Sequence, residues 1–353
     1  MSCFTLRENR LDDWVAAIGS RAQVFAPALA DGMWNFAAVK VGAGDTALDH
    51  ARLGKHGNTV RPAKGFVFPQ REVLYRFRVD AGQPPQLTAT VPPAEPKVVF
   101  GVRPCDGRAM VRNDKVFSCG FADPYYQARR DQVVFVGLAC AAPPSPNCFC
   151  QSVGGSPQSE DGLDVLMTEL DGRYHVKALT ERGKLLVDAA ADLFDTASAE
   201  DARDVEQAHA AALGFPQRSL AGLEAVAAGL KRNFDSPLWD TLAQACIGCG
   251  ACTYLCPSCH CFDLNDELSS QTPLAGERVR TWDTCQFPDF TMHSSGHNPR
   301  DNTGARLRQR VAHKLLYFVE NHNMQQCTGC GRCISHCPVG IDIVRVASEV
   351  SGS

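Results

Sequence analysis

The chain has 353 residues and a formal net charge of −4, with 44% hydrophobic and 21% charged residues. These values are ordinary for a globular protein of two or three domains, and its mild acidity gives no reason to expect nucleic-acid or membrane binding. No stretch approaches the roughly 20 apolar residues that span a bilayer, and charges interrupt the N-terminus before any signal-peptide core. We therefore expect a cytoplasmic protein with no membrane segment.

The N-terminal part has the pattern of an α/β domain. A helix is predicted near Leu11, and residues 66–79 alternate like a strand. Two apolar, β-branched runs, residues 97–102 and 132–140, flank a segment with helical capacity. That order predicts strand, helix and strand around one core.

The next segments predict a hairpin and then helices. A Pro-, Gly- and Ser-rich loop at residues 141–162 precedes a hairpin with the turn Asp171–Gly172. Residues 180–231 are Ala-rich and predict two or three helices, which we interpret as a solvated connector. The composition changes sharply after Pro237, so the sequence predicts two domains, residues 1–235 and 236–353.

Cysteine is the most informative residue type. The chain has 17, which is many for a cytosolic protein, where thiols stay reduced and disulfides are rare. Clustered cysteines in that compartment indicate metal. Eleven of the 17 lie from Cys246 onward.

Two runs of the C-terminal part fit the pattern C-x2-C-x2-C-x3-C-P of bacterial two-cluster ferredoxins. The first holds Cys246, Cys249, Cys252 and Cys256 before Pro257, and the second holds Cys327, Cys330, Cys333 and Cys337 before Pro338. Three thiolates must converge on one cube, and Gly250 and Gly331 allow the tight turn that this requires. A zinc site fits these runs poorly. Zinc takes four ligands, often from two CxxC pairs, whereas each run here has four cysteines of its own and ends in proline.

In two-cluster ferredoxins the fourth cysteine of each run ligates the other cluster. Cluster I would then take Cys246, Cys249, Cys252 and Cys337, and cluster II would take Cys327, Cys330, Cys333 and Cys256. The sequence thus predicts an α+β fold: an N-terminal α/β domain, a helical connector and a C-terminal two-cluster [4Fe–4S] ferredoxin-like domain.

A long insertion, residues 257–326, separates the two runs. Its three cysteines, Cys259, Cys261 and Cys285, have no role that the motif explains. We expect its histidines to pack around the clusters and its apolar side chains to cover them; these are His260, His293, His297, Trp282, Phe287, Phe290 and Met292.

The N-terminal part carries a second constellation: Cys105, Cys140, Cys148 and Cys150. Cys105 follows one predicted buried strand and Cys140 ends the other. If those strands are parallel neighbours, both cysteines lie at the edge where α/β proteins place their sites. The four could hold a third [4Fe–4S] cluster, with Asp106 as a substitute ligand; the alternative is a set of buried structural cysteines. Cys3 and Cys119 are interpreted as ordinary cysteines without a role in a cluster.

A glycine pattern at residues 42–47 fits G-x-G-x-x-A, but no acidic residue stands about 20 positions further on to bind a ribose. We therefore expect flavin and nicotinamide to bind a partner and not this chain.

Four stretches together resemble one family: residues 101–106 (GVRPCD), 148–155 (CFCQSVGG), 246–263 (CIGCGACTYLCPSCHCFD) and 282–300, which contains WDTCQFPDF and SGHNPR. They are similar to the β subunit of cytoplasmic NAD(P)-linked [NiFe] hydrogenases of the sulfhydrogenase type, and to the A subunit of anaerobic sulfite reductase. The resemblance spans roughly residues 66–344.

The resemblance implies an electron-transfer subunit that is not itself catalytic. Its partners would be a γ-type subunit that binds flavin and NAD(P)H and the small and large [NiFe] hydrogenase subunits, with an external electron acceptor. In the sulfite reductase version, a sirohaem subunit would receive the electrons. The sequence has neither a nickel-binding CxxC pair near each terminus nor a sirohaem pattern, so neither active site is expected in this chain.

Overall fold

The computed structural model describes residues 2–40, 57–92, 95–220 and 222–352. The glycine pattern at residues 42–47 lies outside this part of the chain. The described strands are β1 (Ser2–Arg7), β2 (Gln23–Ala30), β3 (Met33–Ala38), β4 (Arg71–Val79), β5 (Gln86–Ala89), β6 (Lys97–Val102), β7 (Val133–Leu138), β8 (Val165–Leu170), β9 (Arg173–Ala178), β10 (Phe194–Thr196), β11 (Phe262–Gln271) and β12 (Leu274–Trp282).

The described α-helices are α1 (Leu11–Gly19), α2 (Pro104–Ser118), α3 (Pro124–Gln132), α4 (Glu181–Asp188), α5 (Ala199–Gly214), α6 (Leu223–Arg232), α7 (Leu238–Ala243), α8 (Ala251–Tyr254), α9 (Thr303–Ala312), α10 (Phe318–His322), α11 (Arg332–Ser335) and α12 (Ile343–Ser351). A π-helical turn, His313–Tyr317, joins α9 to α10. Mixed helix and sheet confirm the predicted fold class.

Eight strands form the large sheet, in the order β10-β1-β9-β8-β7-β6-β2-β3. Its centre is parallel, since β6 pairs with β2 on one side and with β7 on the other, and β7 pairs with β8. Strands buried on both faces read as continuous apolar runs, which explains why β6 and β7 stand out in the sequence. The parallel pairing brings the carboxyl ends of β6 and β7 to the same edge.

The second sheet combines residues from both predicted domains. Its order is β11-β12-β4-β5, and β12 pairs antiparallel with β4 along most of its length. The hairpin β11–β12 belongs to the insertion between the two cysteine runs, whereas β4 and β5 precede residue 100. The division at residue 235 stays a prediction, but this sheet ties the two parts together through backbone hydrogen bonds.

A helical core supports the C-terminal part. Trp239, Leu307 and Val346 lie buried there, together with Val226 and Leu230 of α6. A Cβ on Gly229 of α6 would lie 2.5 Å from the Ser351 Cα atom, so α6 packs directly on α12. The prediction of a solvated connector was therefore wrong for α6, whose apolar face is needed to cover this core.

A buried ion pair joins α2 to α11. The Arg332 guanidinium donates to both carboxylate oxygens of Asp106, at 2.6 and 2.8 Å, and to the Thr59 carbonyl oxygen. Both charged side chains are 1% exposed. Both carboxylate oxygens of Asp106 are therefore engaged by Arg332. This pairing disfavours the predicted role of Asp106 as a substitute cluster ligand.

We predict that Asp106→Ala destabilises the protein by about 3–5 kcal/mol, because it leaves the Arg332 charge buried and unpaired. Anaerobic chemical denaturation would measure the change. Glu349→Ala is the control, since it removes an exposed i,i+4 partner of Arg345 and should leave the midpoint almost unchanged. Equal losses in the two variants would contradict the buried-pair interpretation.

Candidate metal centres

Cysteines from both runs surround a first cavity, here called cavity I. It is lined by Cys246, Cys249 and Cys252 of the first run and by Cys337 of the second; Cys333, Gln286 and Arg310 also line it. These include the four residues that the motif names for cluster I. The crossing arises because the segment after α11 returns to the first loop.

A second cavity, cavity II, shows the reciprocal arrangement. Cys327, Cys330 and Cys333 line it together with Cys256 of the first run, and Arg310 and Lys314 complete its wall. These are the four cysteines that the motif names for cluster II. Each cavity thus brings together the first three thiols of one run and the last thiol of the other, and Cys333 lines both cavities.

Glycines close both loops in the same conformation. Gly250 precedes α8 with φ of +75°, and Gly331 precedes α11 with φ of +74°. A Cβ on Gly331 would lie 2.4 Å from the Asn147 carbonyl oxygen. At Gly250 the added Cβ would lie 2.8 Å from the Thr284 side chain. Glycine therefore suits both positions, which combine positive φ with a close neighbour, as the sequence predicted.

The N-terminal constellation also comes together, around cavity III. Cys105, Cys140, Cys148 and Cys150 line this cavity. Cys105 follows β6 and Cys140 follows β7, which are the parallel neighbours that the sequence analysis required. The Gln217 side-chain carbonyl oxygen lies 3.6 Å from the Cys150 Sγ atom and can accept a hydrogen bond from the thiol.

The three cavities form a row because they share cysteines. Cys330 lines cavities II and III, and Cys333 lines cavities I and II. The loops of cavities II and III touch through their backbones, since the Phe149 N–H donates to the Gly329 carbonyl oxygen at 2.8 Å. The order along the row is therefore III, II and I.

Several thiols that line these three cavities have raised pKa values because they are buried. Burial raises the pKa of Cys148 and of Cys333 to about 12 in each case. Free thiols there stay protonated at neutral pH, and a metal must displace the proton to bind the thiolate. Many buried thiols around enclosed cavities match the donor set of iron–sulfur clusters.

The buried cations near the thiols include Lys64, Arg310 and Lys314, each at most 5% exposed. Burial opposes their charged forms and lowers the pKa of Lys64 to about 8. For Arg310 and Lys314 the nearby thiolates outweigh burial and raise both pKa values above the usual range. No carboxylate of the described residues pairs with any of the three. Their charges are positioned to compensate an anionic cluster.

The three cysteines without a motif role also lie together. The Cys261 thiol is within hydrogen-bonding contact of the Cys259 and Cys285 thiols, and the Cys261 contact lowers the pKa of Cys285 to about 6. In the described part of the chain, no three His, Cys, Asp or Glu side chains are close enough to share one metal ion. We assign no ion to this group, whose proximity no sequence pattern indicated.

The predicted cover of the clusters is only partly present. Trp282 packs on Phe68 and on the Lys64 ammonium group, 4.1 Å from the indole centre, and Phe287 packs on Tyr254. His260 also packs as predicted, and burial lowers its pKa to about 3, so it is neutral. Other predicted members, Met292, His293 and His297, lie on the surface.

Comparison with known proteins defines the class first. A family profile described as "4Fe-4S dicluster domain" matches residues 245–341, which contain both ferredoxin runs. The chain therefore holds two [4Fe–4S] clusters and is an iron–sulfur electron-transfer protein. No solved structure matches the chain significantly.

A curated relative then defines the family. The chain is 30% identical over 311 residues to sulfhydrogenase 2 subunit beta of Pyrococcus furiosus, covering 87% of this chain and 86% of the relative. The chain belongs to the family of sulfhydrogenase β subunits, which confirms the resemblance seen in the sequence. Among the described helices, none combines the length and apolar character needed to cross a membrane.

We predict that Gly331→Ala lowers the iron and sulfide bound per chain, because its Cβ would collide with the Asn147 backbone and displace the loop around cavity II. Metal analysis after anaerobic purification would measure this. Gly340→Ala is a matched control, since it has a similar φ of +73° but no atom within 4 Å of the added Cβ. Equal iron loss in both variants would mean that φ, and not the close loop contact, matters.

Proposed function

We propose that this chain is the iron–sulfur electron-transfer subunit of a multi-subunit cytoplasmic [NiFe] hydrogenase. It relays electrons between a subunit that binds flavin and NAD(P)H and an external acceptor. The observation that carries this proposal is the row of three cysteine-lined cavities. The family of the chain and the name of its relative, a sulfhydrogenase subunit, support the hydrogenase context.

The proposal assigns four thiolates to each centre. Cluster I takes Cys246, Cys249, Cys252 and Cys337; cluster II takes Cys327, Cys330, Cys333 and Cys256. A third [4Fe–4S] cluster in cavity III takes Cys105, Cys140, Cys148 and Cys150. The shared linings of Cys330 and Cys333 support this assignment, because they put neighbouring centres side by side.

The chain's own residues hold and space the electron carriers. Each cubane, when bound, accepts and releases one electron. The crossed loops keep cavities I and II adjacent, and the Phe149–Gly329 backbone contact keeps cavity III against cavity II. Buried walls such as Phe149 and Ile343 exclude water from cavity II. Hydrogen and NAD(P)H chemistry is left to the partner subunits.

We predict that Cys330→Ala abolishes the reduced-state EPR signal of cluster II and electron flow through the subunit. Cys330 supplies a ligand to cluster II and sits at the junction with cavity III, so its loss interrupts the row. Cys119→Ala is the control, because Cys119 is exposed and lines none of the three cavities. Normal turnover of the Cys330 variant with the natural acceptor would count against the relay.

We also predict that Cys140→Ala removes about four irons per chain, the content of one cubane, while clusters I and II keep their EPR signals. Cys140 lines cavity III alone among the three cavities. Iron analysis and EPR on the same anaerobic samples would decide. An unchanged iron content would show that the cysteines of cavity III are structural.

The identity of the complex needs a separate experiment. The native complex would be purified and assayed for hydrogen-dependent NAD(P) reduction. We expect it to contain [NiFe] subunits and to show this activity. Co-purification of a sirohaem subunit with sulfite reduction would instead assign the chain to an anaerobic sulfite reductase. The relay role of this chain would survive that outcome, whereas the hydrogenase context would not.

A further inference from the structure

We propose that two buried cations, Arg310 and Lys314, set the reduction potentials of the clusters unequally. Arg310 acts on clusters I and II together, and Lys314 acts on cluster II alone. The inference rests on the ligand assignment proposed above for cavities I and II. It adds a role for residues that no cysteine motif contains.

Arg310 stands between the two ferredoxin-type cavities. It projects from α9 and lines both cavity I and cavity II. Its side chain is buried, and its Nη1 donates to the Cys259 Sγ atom at 3.6 Å. Its charge has no carboxylate partner among the described residues and faces thiols that belong to both proposed clusters.

Lys314 lies one helical turn further on and faces one cavity only. It lines cavity II and not cavity I, and its Nζ donates to the Ser258 hydroxyl at 3.1 Å. It belongs to the π-helical turn, and its backbone carbonyl accepts from the Cys327 N–H at 3.4 Å. Such turns often mark functional sites. Here the turn ties the first ligand of cluster II to the residue that carries the charge.

Cavity III has a different charge environment. Its buried arginines include Arg103, which interacts with the Cys140 thiol, and Arg332 at the junction, which is paired with Asp106. Arg108 near Cys150 has Asp161 within 3.7 Å. The third cation of the cluster region, Lys64, lines none of the three cavities and donates instead to the Cys259 carbonyl oxygen. Arg310 and Lys314 are therefore the buried cations that line cavities I and II, whereas cavity III has arginines of its own.

A fixed positive charge favours the more negative, reduced form of a cluster. The effect is large where the dielectric constant is low and water is excluded. Charge and burial around a cluster are among the factors that set its potential. Removing Arg310 should thus lower the potentials of clusters I and II, and removing Lys314 should lower that of cluster II.

EPR-monitored redox titration of the full chain with its clusters in place tests the proposal. We expect Arg310→Gln to lower the reduced-to-oxidised ratio of clusters I and II about tenfold at a fixed potential, a shift of about 59 mV for one electron. Lys314→Gln should shift cluster II by a similar amount and leave cluster I in place. Arg310→Lys, which keeps the charge, should stay close to the unmodified protein.

Arg308→Gln is the matched control. Arg308 lies on the same helix but turns outward to Asp235, with 3.0 Å between Nη1 and Oδ1, and it lines none of the three cavities. The reduction potentials of all clusters should stay unchanged in Arg308→Gln. A shift in Arg310→Gln no larger than in Arg308→Gln would overturn the inference.

Failure of the inference and failure of the proposed function give different results. Wild-type protein without clusters I and II would refute the ligand assignment itself. Normal clusters with unmoved potentials would refute only the role of the cations. If Arg310→Gln does not assemble its clusters, Lys314→Gln decides: a shift in cluster I, or in neither cluster, contradicts the proposal.

Discussion

Compensation of negative charge in a dry interior is the constraint on which this structure depends. Two [4Fe–4S] clusters, each caged by thiolates, carry net negative charge, and burying such charge is costly unless cations or dipoles oppose it. The chain meets the demand with Arg310 and Lys314, which stand in the cluster region without carboxylate partners among the described residues. In a protein without metal, the same buried and unpaired charges would destabilise the fold.

The insertion between the cysteine runs explains how these parts are held. Its hairpin β11–β12 adds to β4, so the segment that follows Cys256 is anchored on the N-terminal part of the chain. Its helix α9 then carries Arg310 back between the two ferredoxin-type loops. A compact ferredoxin has no need for such a segment, whereas in this chain its hairpin pairs with β4 of the N-terminal part.

Much of the site could be predicted because cysteine spacing is a local signal. The spacing of the two runs indicates which thiols can reach one cube, and β6 and β7 were recognisable as buried strands from their β-branched residues. The burial of α6 could not be predicted, because its alanines suit a solvated helix as well as a packed one. The Arg332–Asp106 pair and the position of Arg310 could not be predicted either. They depend on contacts between residues far apart in the chain, and a lone arginine carries no local pattern.

Combined analysis of iron, acid-labile sulfide and zinc in anaerobically prepared full-length protein tests the central claim most directly. The account predicts about twelve irons and about twelve sulfides per chain, with reduced-state EPR signals broadened by coupling between neighbouring clusters. Fewer than about eight irons per chain, or zinc in their place, would contradict it, because two crossed cubanes alone require that number.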